Sequence, residues 1–330
     1  MQKIDFVVTW VDGNDPEWQA ERAKYSPDKG TADGSVIRYR DWGLMRYWFR
    51  GVEKFAPWVN KIYFVTSGHY PEWLNLEHPK LVHIKHTDYI PAENLPTFNS
   101  NVIELYMHNI PGLSEQFVLF NDDMFLTDYV KETDFFRNGL PCETAILGQT
   151  FAMATEDVFA YTMFNNIAII NKHFSKKEVT KKHWKKFFSL CYGKALLRNA
   201  LLLPFGHFSG FLDSHLPASH LKSTFYELWR EERQALAECG THRFRNKGDL
   251  THWLMKDWRI CKGQFVPRSI NWGKSFSIGH NPEMISAIKE RKYKIVCLND
   301  CDPELDFETN NWKLVTAFET ILPQKSEYEK

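Results

Sequence analysis

Several things are missing from this 330-residue sequence, and each absence excludes a class of protein. No uninterrupted apolar run reaches the 18 or so residues of a membrane span. The longest candidate, Ala195 to Phe211, is broken by Arg198, Asn199, Pro204, Gly206 and His207. The six cysteines (Cys142, Cys191, Cys239, Cys261, Cys297 and Cys301) show no C-x-x-C pairing, so they read as reduced thiols of a cytoplasmic protein rather than a disulfide framework. Nor is there an excess of charge. Lys plus Arg equals Asp plus Glu at 41 each, which argues against a generally basic nucleic-acid binder. A strand-like segment begins almost at once, at Ile4, leaving no room for a signal peptide in this reading.

What the chain does have is a core. Apolar residues make up 43% and aromatic residues 15%, enough for one large α/β domain or a domain with a helical subdomain. Strand-like runs at Ile4–Val11, Val59–Thr66, Leu81–His86 and Phe117–Phe120 alternate with helical patterns at Asp41–Phe55 and Asn101–His108. Asp41 is the candidate N-cap of the first of these helices. That rhythm predicts a Rossmann-like, mostly parallel sheet flanked by helices. Residues Ala20 to Gly34 read as a polar loop. From about Thr133 the pattern changes to short apolar runs and a basic helical stretch, Lys176 to Leu203. The expected organisation is therefore 1–132 as the first part of the α/β core, 133–206 as a mixed, basic helical insertion, and 207–330 as the part completing the site. Helices are expected at Ser223–Trp229, Asp249–Cys261 and Leu314–Leu322, with a frayed tail to Lys330.

The most informative stretch is Phe117-Val118-Leu119-Phe120-Asn121-Asp122-Asp123. Four apolar residues suit a strand buried on both faces, and such a strand must turn polar where it leaves the core. In an open α/β sheet the carboxyl ends of the strands are where ligands bind. Two adjacent carboxylates repel unless a cation or hydrogen bonds offset them, and Mg²⁺ (or Mn²⁺) shared with substrate phosphates would do so. The plainer alternative is an Asx turn. A second strand, Lys294–Leu298, also ends in Asn-Asp, at Asn299 and Asp300, which suggests one composite polar site.

Other candidates are more ambiguous. Val11, Asp12 and Asp15 lie in the turn after the first strand, either a surface loop or a nucleotide-facing loop, with no G-x-G-x-x-G or Walker pattern to decide. Arg46 and Arg50 sit one helical turn apart, as a solvated face or a phosphate clamp. His215 and His220, close to Asp213, are candidates for acid–base or phosphate contacts. No H-E-x-x-H pattern or paired cysteines support zinc. The paired lysines of Lys176–Lys186 suit a solvated helix, or contact with an anionic membrane or an acidic polymer.

Four blocks, in order, resemble the Stealth family of sugar-phosphate transferases. They are Ile4-Asp5-Phe6-Val7-Val8-Thr9-Trp10-Val11-Asp12-Gly13-Asn14-Asp15-Pro16-Glu17-Trp18; Tyr39-Arg40-Asp41 through Leu95-Pro96-Thr97-Phe98-Asn99-Ser100 to Asn121-Asp122-Asp123; Ser214-His215-Leu216-Pro217 with His242-Arg243-Phe244-Arg245; and Val296-Cys297-Leu298-Asn299-Asp300. The resemblance covers nearly the whole chain and implies a bacterial enzyme of capsular or cell-surface polysaccharide synthesis. Its implied reaction moves a sugar 1-phosphate from a nucleotide sugar, UDP-linked in this reading, to a hydroxyl of a glycan or lipid-linked oligosaccharide. A phosphodiester forms and nucleoside monophosphate leaves.

On that resemblance Asp122, Asp123, Asn299 and Asp300 would hold the metal, with Asp123, His215 and Arg245 catalytic and His215 the base. Val11, Asp12, Asp15, Arg46, Asn99, Ser100, His220 and Arg243 would contact substrate. No nucleic-acid partner is implied, and work at the inner face of the plasma membrane suits a lipid-linked acceptor. Two rival functions share parts of this pattern: a metal-dependent glycosyltransferase releasing nucleoside diphosphate, and a non-catalytic polysaccharide-binding protein.

Overall fold

The computed structural model of the protein describes residues 3–26, 39–155 and 157–330. The chain opens with β1 (Ile4–Thr9), α1 (Pro16–Tyr25), α2 (Met45–Phe55), β2 (Ile62–Thr66), β3 (Leu81–Lys85), α3 (Ser100–Leu105), β4 (Gln116–Phe120) and β5 (Met124–Leu126). A middle stretch carries α4 (Glu132–Phe135), β6 (Phe136–Arg137), β7 (Leu140–Glu143), α5 (Val158–His173), α6 (Lys176–Lys182), α7 (Trp184–Phe187) and α8 (Leu196–Leu202). It continues through β8 (Ala218–Leu221), α9 (Lys222–Glu231), α10 (Arg233–Gly240), α11 (Trp253–Lys262), β9 (Val266–Pro267), β10 (Gly273–Ser277), α12 (Met284–Lys289), β11 (Ile295–Asn299) and α13 (Phe307–Ile321).

The main sheet runs β3-β2-β1-β4-β8, with the first four strands parallel and β8 antiparallel to β4. This is the mostly parallel, helix-flanked α/β architecture that the strand–helix rhythm predicts. Alternate residues of each strand enter different cores, as the period-2 geometry of a strand requires. Phe6, Val8, Val118 and Phe120 join α2 and α13 on one face, while Val7, Phe117 and Leu119 join α3, α9 and α11 on the other. The first face is dense in aromatics, Phe6 and Trp48 both packing on Phe120 with centroids 4.8 and 5.5 Å apart. Burying each such ring contributes roughly 1.5–3 kcal/mol.

One polar residue breaks β1's apolar run. Asp5 is fully buried but satisfied, accepting from Asn60 Nδ2 at 2.6 Å and from Ser114 N at 2.7 Å. It ties β1 to the segments leading into β2 and β4.

Two small sheets complete the fold. In one, β11 pairs in parallel with β10 and antiparallel with β5, so that Met124 faces Cys297. The other is β6-β7-β9. Residues 133–206 do not stand apart from the sheet: Ile146, Ile170, Phe187 and Tyr192 share a core with Phe117 and Leu119 of β4.

Four local expectations change. Residues 20–25, read as loop, continue α1, because Asp15 caps it by accepting from Glu17 N and Trp18 N; residues 27–34 of that expected loop lie outside the described residues. Helix α2 starts at Met45 rather than Asp41, whose Oδ1 instead accepts from Gly43 N at 2.8 Å. The single basic helix breaks into α6, α7, a 3₁₀ stretch and α8, and two of its lysines turn inward. Lys176 donates to the Leu202 and Phe205 carbonyls, and Lys186 donates to the Gly263 and Phe265 carbonyls. The tail, finally, is not frayed: Arg50 forks onto Glu329 at 2.7 and 3.0 Å, and Tyr328 is buried. That pairing also removes Arg50 from any phosphate clamp.

Candidate active site

Strand β4 is buried throughout and delivers Asn121, Asp122 and Asp123 at its carboxyl end. The chain then reverses into β5 through Met124 N to Asn121 O at 3.2 Å. Because β5 pairs with β11, and Leu298 N donates to Asp123 O at 2.8 Å, the second Asn-Asp end arrives beside the first. A cavity of about 480 Å³ is lined by Asn121, Asp122, Asp123, Asn299 and Asp300, together with Arg40, Asp41, Trp42, His215 and Arg245. A smaller cavity of about 150 Å³ lies at the ends of β1 and β2 and shares Trp10, Asn121, Asp122 and Arg245 with the first. Val11, Trp18, Tyr39, Phe98, Ser100 and Glu104 are among its walls.

The crowding of acids shows in their proton affinities. Asp122 opens onto the cavity, yet loss of water, then Asp123, then Asp41 push its carboxyl up to about 7. Asp41 is raised by burial and by Asp12, against the bond from Gly43 N. Asp300 is raised by burial, although Arg40 (3.6 Å) and Trp42 Nε1 (3.1 Å) hold its Oδ2. Oδ1 of Asp123 and Oδ1 of Asp300 are buried without a hydrogen-bond partner in the protein. Such orphaned carboxylate oxygens suit a hard cation. Asp123, His215 and Cys297 also lie within metal-binding reach of one another. The Cys297 thiol, however, is pushed well up by burial and by Asp123, to which it donates at 3.3 Å. Thiol and imidazole are softer donors than carboxylate, so the oxygen donors suit a hard cation better than this mixed set.

His215 sits in the left-handed region (φ 47°), its N–H held by Asp213 Oδ1 at 2.9 Å. A non-glycine residue in that conformation stores backbone strain, a feature that clusters at functional sites. Its Nε2 lies 3.7 Å from Asp123 Oδ2. Burial depresses the imidazole's proton affinity, but Asp123, Asp213 and Glu104 outweigh that and leave it raised.

Arg245 reaches both cavities and donates to Ser100 Oγ at 2.8 Å. The loop that carries it is fastened by the buried Asp249. Asp249 Oδ2 accepts from Asn99 Nδ2 (2.7 Å), Asn101 Nδ2 (3.0 Å) and Asn246 N (3.0 Å), and Oδ1 lies 2.7 Å from His242 Nδ1.

The structure thus gathers Val11, Ser100, Asp122, Asp123, His215, Arg245, Asn299 and Asp300 around the two adjoining cavities. The other sequence candidates line neither cavity. Asn99 is fully buried and braces the 242–249 loop. Asp15 caps α1, and Asp12 accepts from Asn14 N. Arg46 lies over the Trp73 ring at 5.3 Å and Arg243 over Tyr25 at 4.9 Å. His220 is fully buried in β8, between His252 Nδ1 at 3.1 Å and Arg259 at 3.3 Å, and burial holds its imidazole well below the ordinary value. It is a core residue. Sequence reasoning missed Arg40, Asp41, Trp42 and Glu104 as wall residues. For the first two the signal was present, in the Tyr39-Arg40-Asp41 block. Glu104, whose carboxyl burial lifts to about 7, gives none, since it reads as an ordinary helix residue.

Comparison with known proteins adds an independent line. Conserved region 1 of the Stealth proteins matches residues 2–30, and conserved region 2 matches residues 38–142. The chain is 46% identical over 333 residues to the capsular polysaccharide phosphotransferase WcwK of Streptococcus pneumoniae, covering 100% of this chain and 99% of that one. It is 42% identical over 329 residues to the exopolysaccharide phosphotransferase cps2G of Lactiplantibacillus plantarum, covering 99% and 96%. The receptor polysaccharide phosphotransferase WefC of Streptococcus oralis is 41% identical over 339 residues, with both chains fully covered. Among solved structures, the galactosyltransferase LgtC in complex with donor and acceptor sugar analogs aligns over 98% of both chains, distantly, at a TM-score of 0.41 and 8% identity.

Proposed function

The chain belongs to the Stealth family, and we infer from that premise that it is a polysaccharide phosphotransferase. In this reading it moves a sugar 1-phosphate from a nucleotide sugar, UDP-linked, to a hydroxyl of a growing cell-surface glycan. The work takes place on the cytoplasmic side of the membrane, where a lipid-linked acceptor is presented. One observation carries the reading. Two Asn-Asp strand ends, 170-odd residues apart in sequence, converge with His215 and Arg245 on one cavity that opens beside a second, aromatic-walled one.

Each residue has a task in that chemistry. Phosphoryl transfer relies on positioning and charge stabilisation more than on covalent chemistry by the protein. Asp122, Asp123, Asn299 and Asp300 would hold Mg²⁺ or Mn²⁺, which when bound neutralises charge on the diphosphate. Val11 and Ser100, on the smaller cavity, face the nucleotide end of the donor. His215 Nε2 takes the proton of the acceptor hydroxyl as its oxygen forms a bond to the sugar-bearing phosphorus. The phosphoanhydride P–O bond breaks, and nucleoside monophosphate leaves. Asp123, 3.7 Å away, stabilises the imidazolium that results. Arg245 offers its guanidinium to the phosphate oxygens on which charge gathers.

The test is the identity of the released nucleotide. Purified protein incubated with UDP-sugars and an acceptor glycan, with and without Mg²⁺, releases UMP only with the metal. Release of UDP instead would move the reaction to glycosyl transfer and refute the proposal.

A further inference from the structure

We propose that the face built from residues 190–205 seats the protein on the surface of an anionic lipid bilayer. Among the described residues no helix is long and apolar enough to cross a membrane. Leu197 and Leu201 are 64% and 63% exposed and lie four residues apart on α8, hence on one helix face. Leu190 (89%), Leu203 and Phe205 stand exposed on the segments that lead into and out of that helix. A soluble surface seldom offers so many large apolar side chains in one short stretch without a use for them.

The scaffold beneath holds these side chains outward. Asn199, fully buried on the opposite face of α8, accepts from Leu147 N at 2.6 Å and donates to the carbonyls of Ala145 (2.9 Å) and Phe187 (2.6 Å). The buried Lys176 ammonium fastens the far end through the carbonyls of Leu202 and Phe205. The leucines are therefore presented by a pinned helix.

Charge selects the occupant. Lys181, Lys182, Lys185, Lys194 and Arg198 are exposed in the same stretch of chain as the apolar side chains, and Glu178 is the single acid between residues 176 and 206. A second copy docked here through the same face would set cations against cations. Exposed apolar side chains in a stretch rich in cations match the headgroup and acyl boundary of an anionic leaflet. From Phe205 the chain reaches His215 in ten residues, at most ~35 Å even if extended. Docking would thus bring the large cavity near a membrane-borne acceptor; that consequence rests on the proposed reaction, whereas the lipid contact does not.

The experiment is co-sedimentation of the full-length protein with vesicles of phosphatidylcholine alone or mixed equally with phosphatidylglycerol. Binding to the anionic vesicles should exceed binding to the neutral ones by about tenfold or more. It should fall by at least about tenfold in Leu197→Asp/Leu201→Asp and in Lys181→Glu/Lys182→Glu/Lys185→Glu. The substituted side chains are exposed, so the thermal midpoint should not move, and an unchanged midpoint certifies the folded state of each variant. Absence of vesicle binding, or equal binding to both compositions, overturns the proposal. So does a solution dimer that the leucine double variant dissociates, since a second copy would then cover the face.

Discussion

Removing the carboxylate of Asp249 should loosen the site without touching its walls. Asp249→Ala deletes the acceptor for Asn99, Asn101, Asn246 N and the His242 ring. His242 and Asn246 are partly exposed and can turn to water. Asn101 is buried, and the amide nitrogen of Asn99 keeps only its 3.2 Å contacts to the His242 and Phe244 carbonyls. Stranding a buried donor costs about 1–3 kcal/mol, so the substitution should cost roughly 3–5 kcal/mol in all. That is a large share of the ~5–15 kcal/mol that holds a typical domain folded. Asp249→Asn is gentler. Its oxygen can still face the two amides and the Asn246 N–H, and its amide can donate to the other tautomer of His242, so the loss should be about 1 kcal/mol. Urea denaturation measures both. Because the 242–249 loop carries Arg245, an ångström of drift should also cut turnover by roughly 10–100-fold in the alanine variant under conditions where it is still folded. A native urea midpoint for Asp249→Ala would refute the hydrogen-bond reasoning. Full turnover in a destabilised variant would detach Asp249 from the placement of Arg245.

Further outcomes follow from other pairs. Arg50→Met leaves Glu329 buried without its cation and should cost about 3–5 kcal/mol, most of it recovered in Arg50→Met/Glu329→Leu, as a double-mutant cycle by denaturation will show. Glu329 is held below its ordinary 4.5, burial being outweighed by Arg50. The wild-type pair's contribution is therefore complete above about 4.5 and is lost as the pH falls through the lower folded value; Arg50→Met should flatten that acid limb. Asp123→Asn should keep the thermal midpoint within a degree or two while abolishing Mn²⁺ binding by calorimetry, and normal binding would remove Asp123 from the metal site. His215 has a raised proton affinity, so its base form fills only as the pH climbs past its ordinary 6.5. Turnover should rise with pH through a midpoint above that value, and His215→Gln should lose the rise together with most of the rate.

The sequence was most legible where local and tertiary demands coincide. Three apolar runs became β1, β2 and β4 because strands covered on both faces need largely continuous apolar residues, while the alternating Leu81–Lys85 became the edge strand β3. The two Asn-Asp ends were visible because a strand leaving a core must change polarity at that point. Less legible were residues whose roles depend on distant partners. His220 looked like its neighbour His215, but the strand geometry of Ala218–Leu221 points it into the core, and Pro217 with two nearby histidines disguised that strand as loop. Asn99 and Ser100 stood together in one motif, yet the first braces the loop and the second touches Arg245. The ordered tail was hidden because a terminal Glu carries no mark of an arginine some 280 residues upstream.

The junction of β5 with β11 also sets an order of events. Asp122 and Asp123 leave the ribosome some 170-odd residues ahead of Asn299 and Asp300. The sheet of β1 to β4 can form early, but its cluster of repelling acids then stands without the Leu298 N–H that anchors Asp123 and without the second strand end. A nascent chain that has not reached β11 thus carries only one of the two Asn-Asp ends proposed to hold the cation. On the proposed reaction, a chain interrupted between β5 and β11 would keep Asp122 and Asp123 but lack Asn299 and Asp300, and should be inactive.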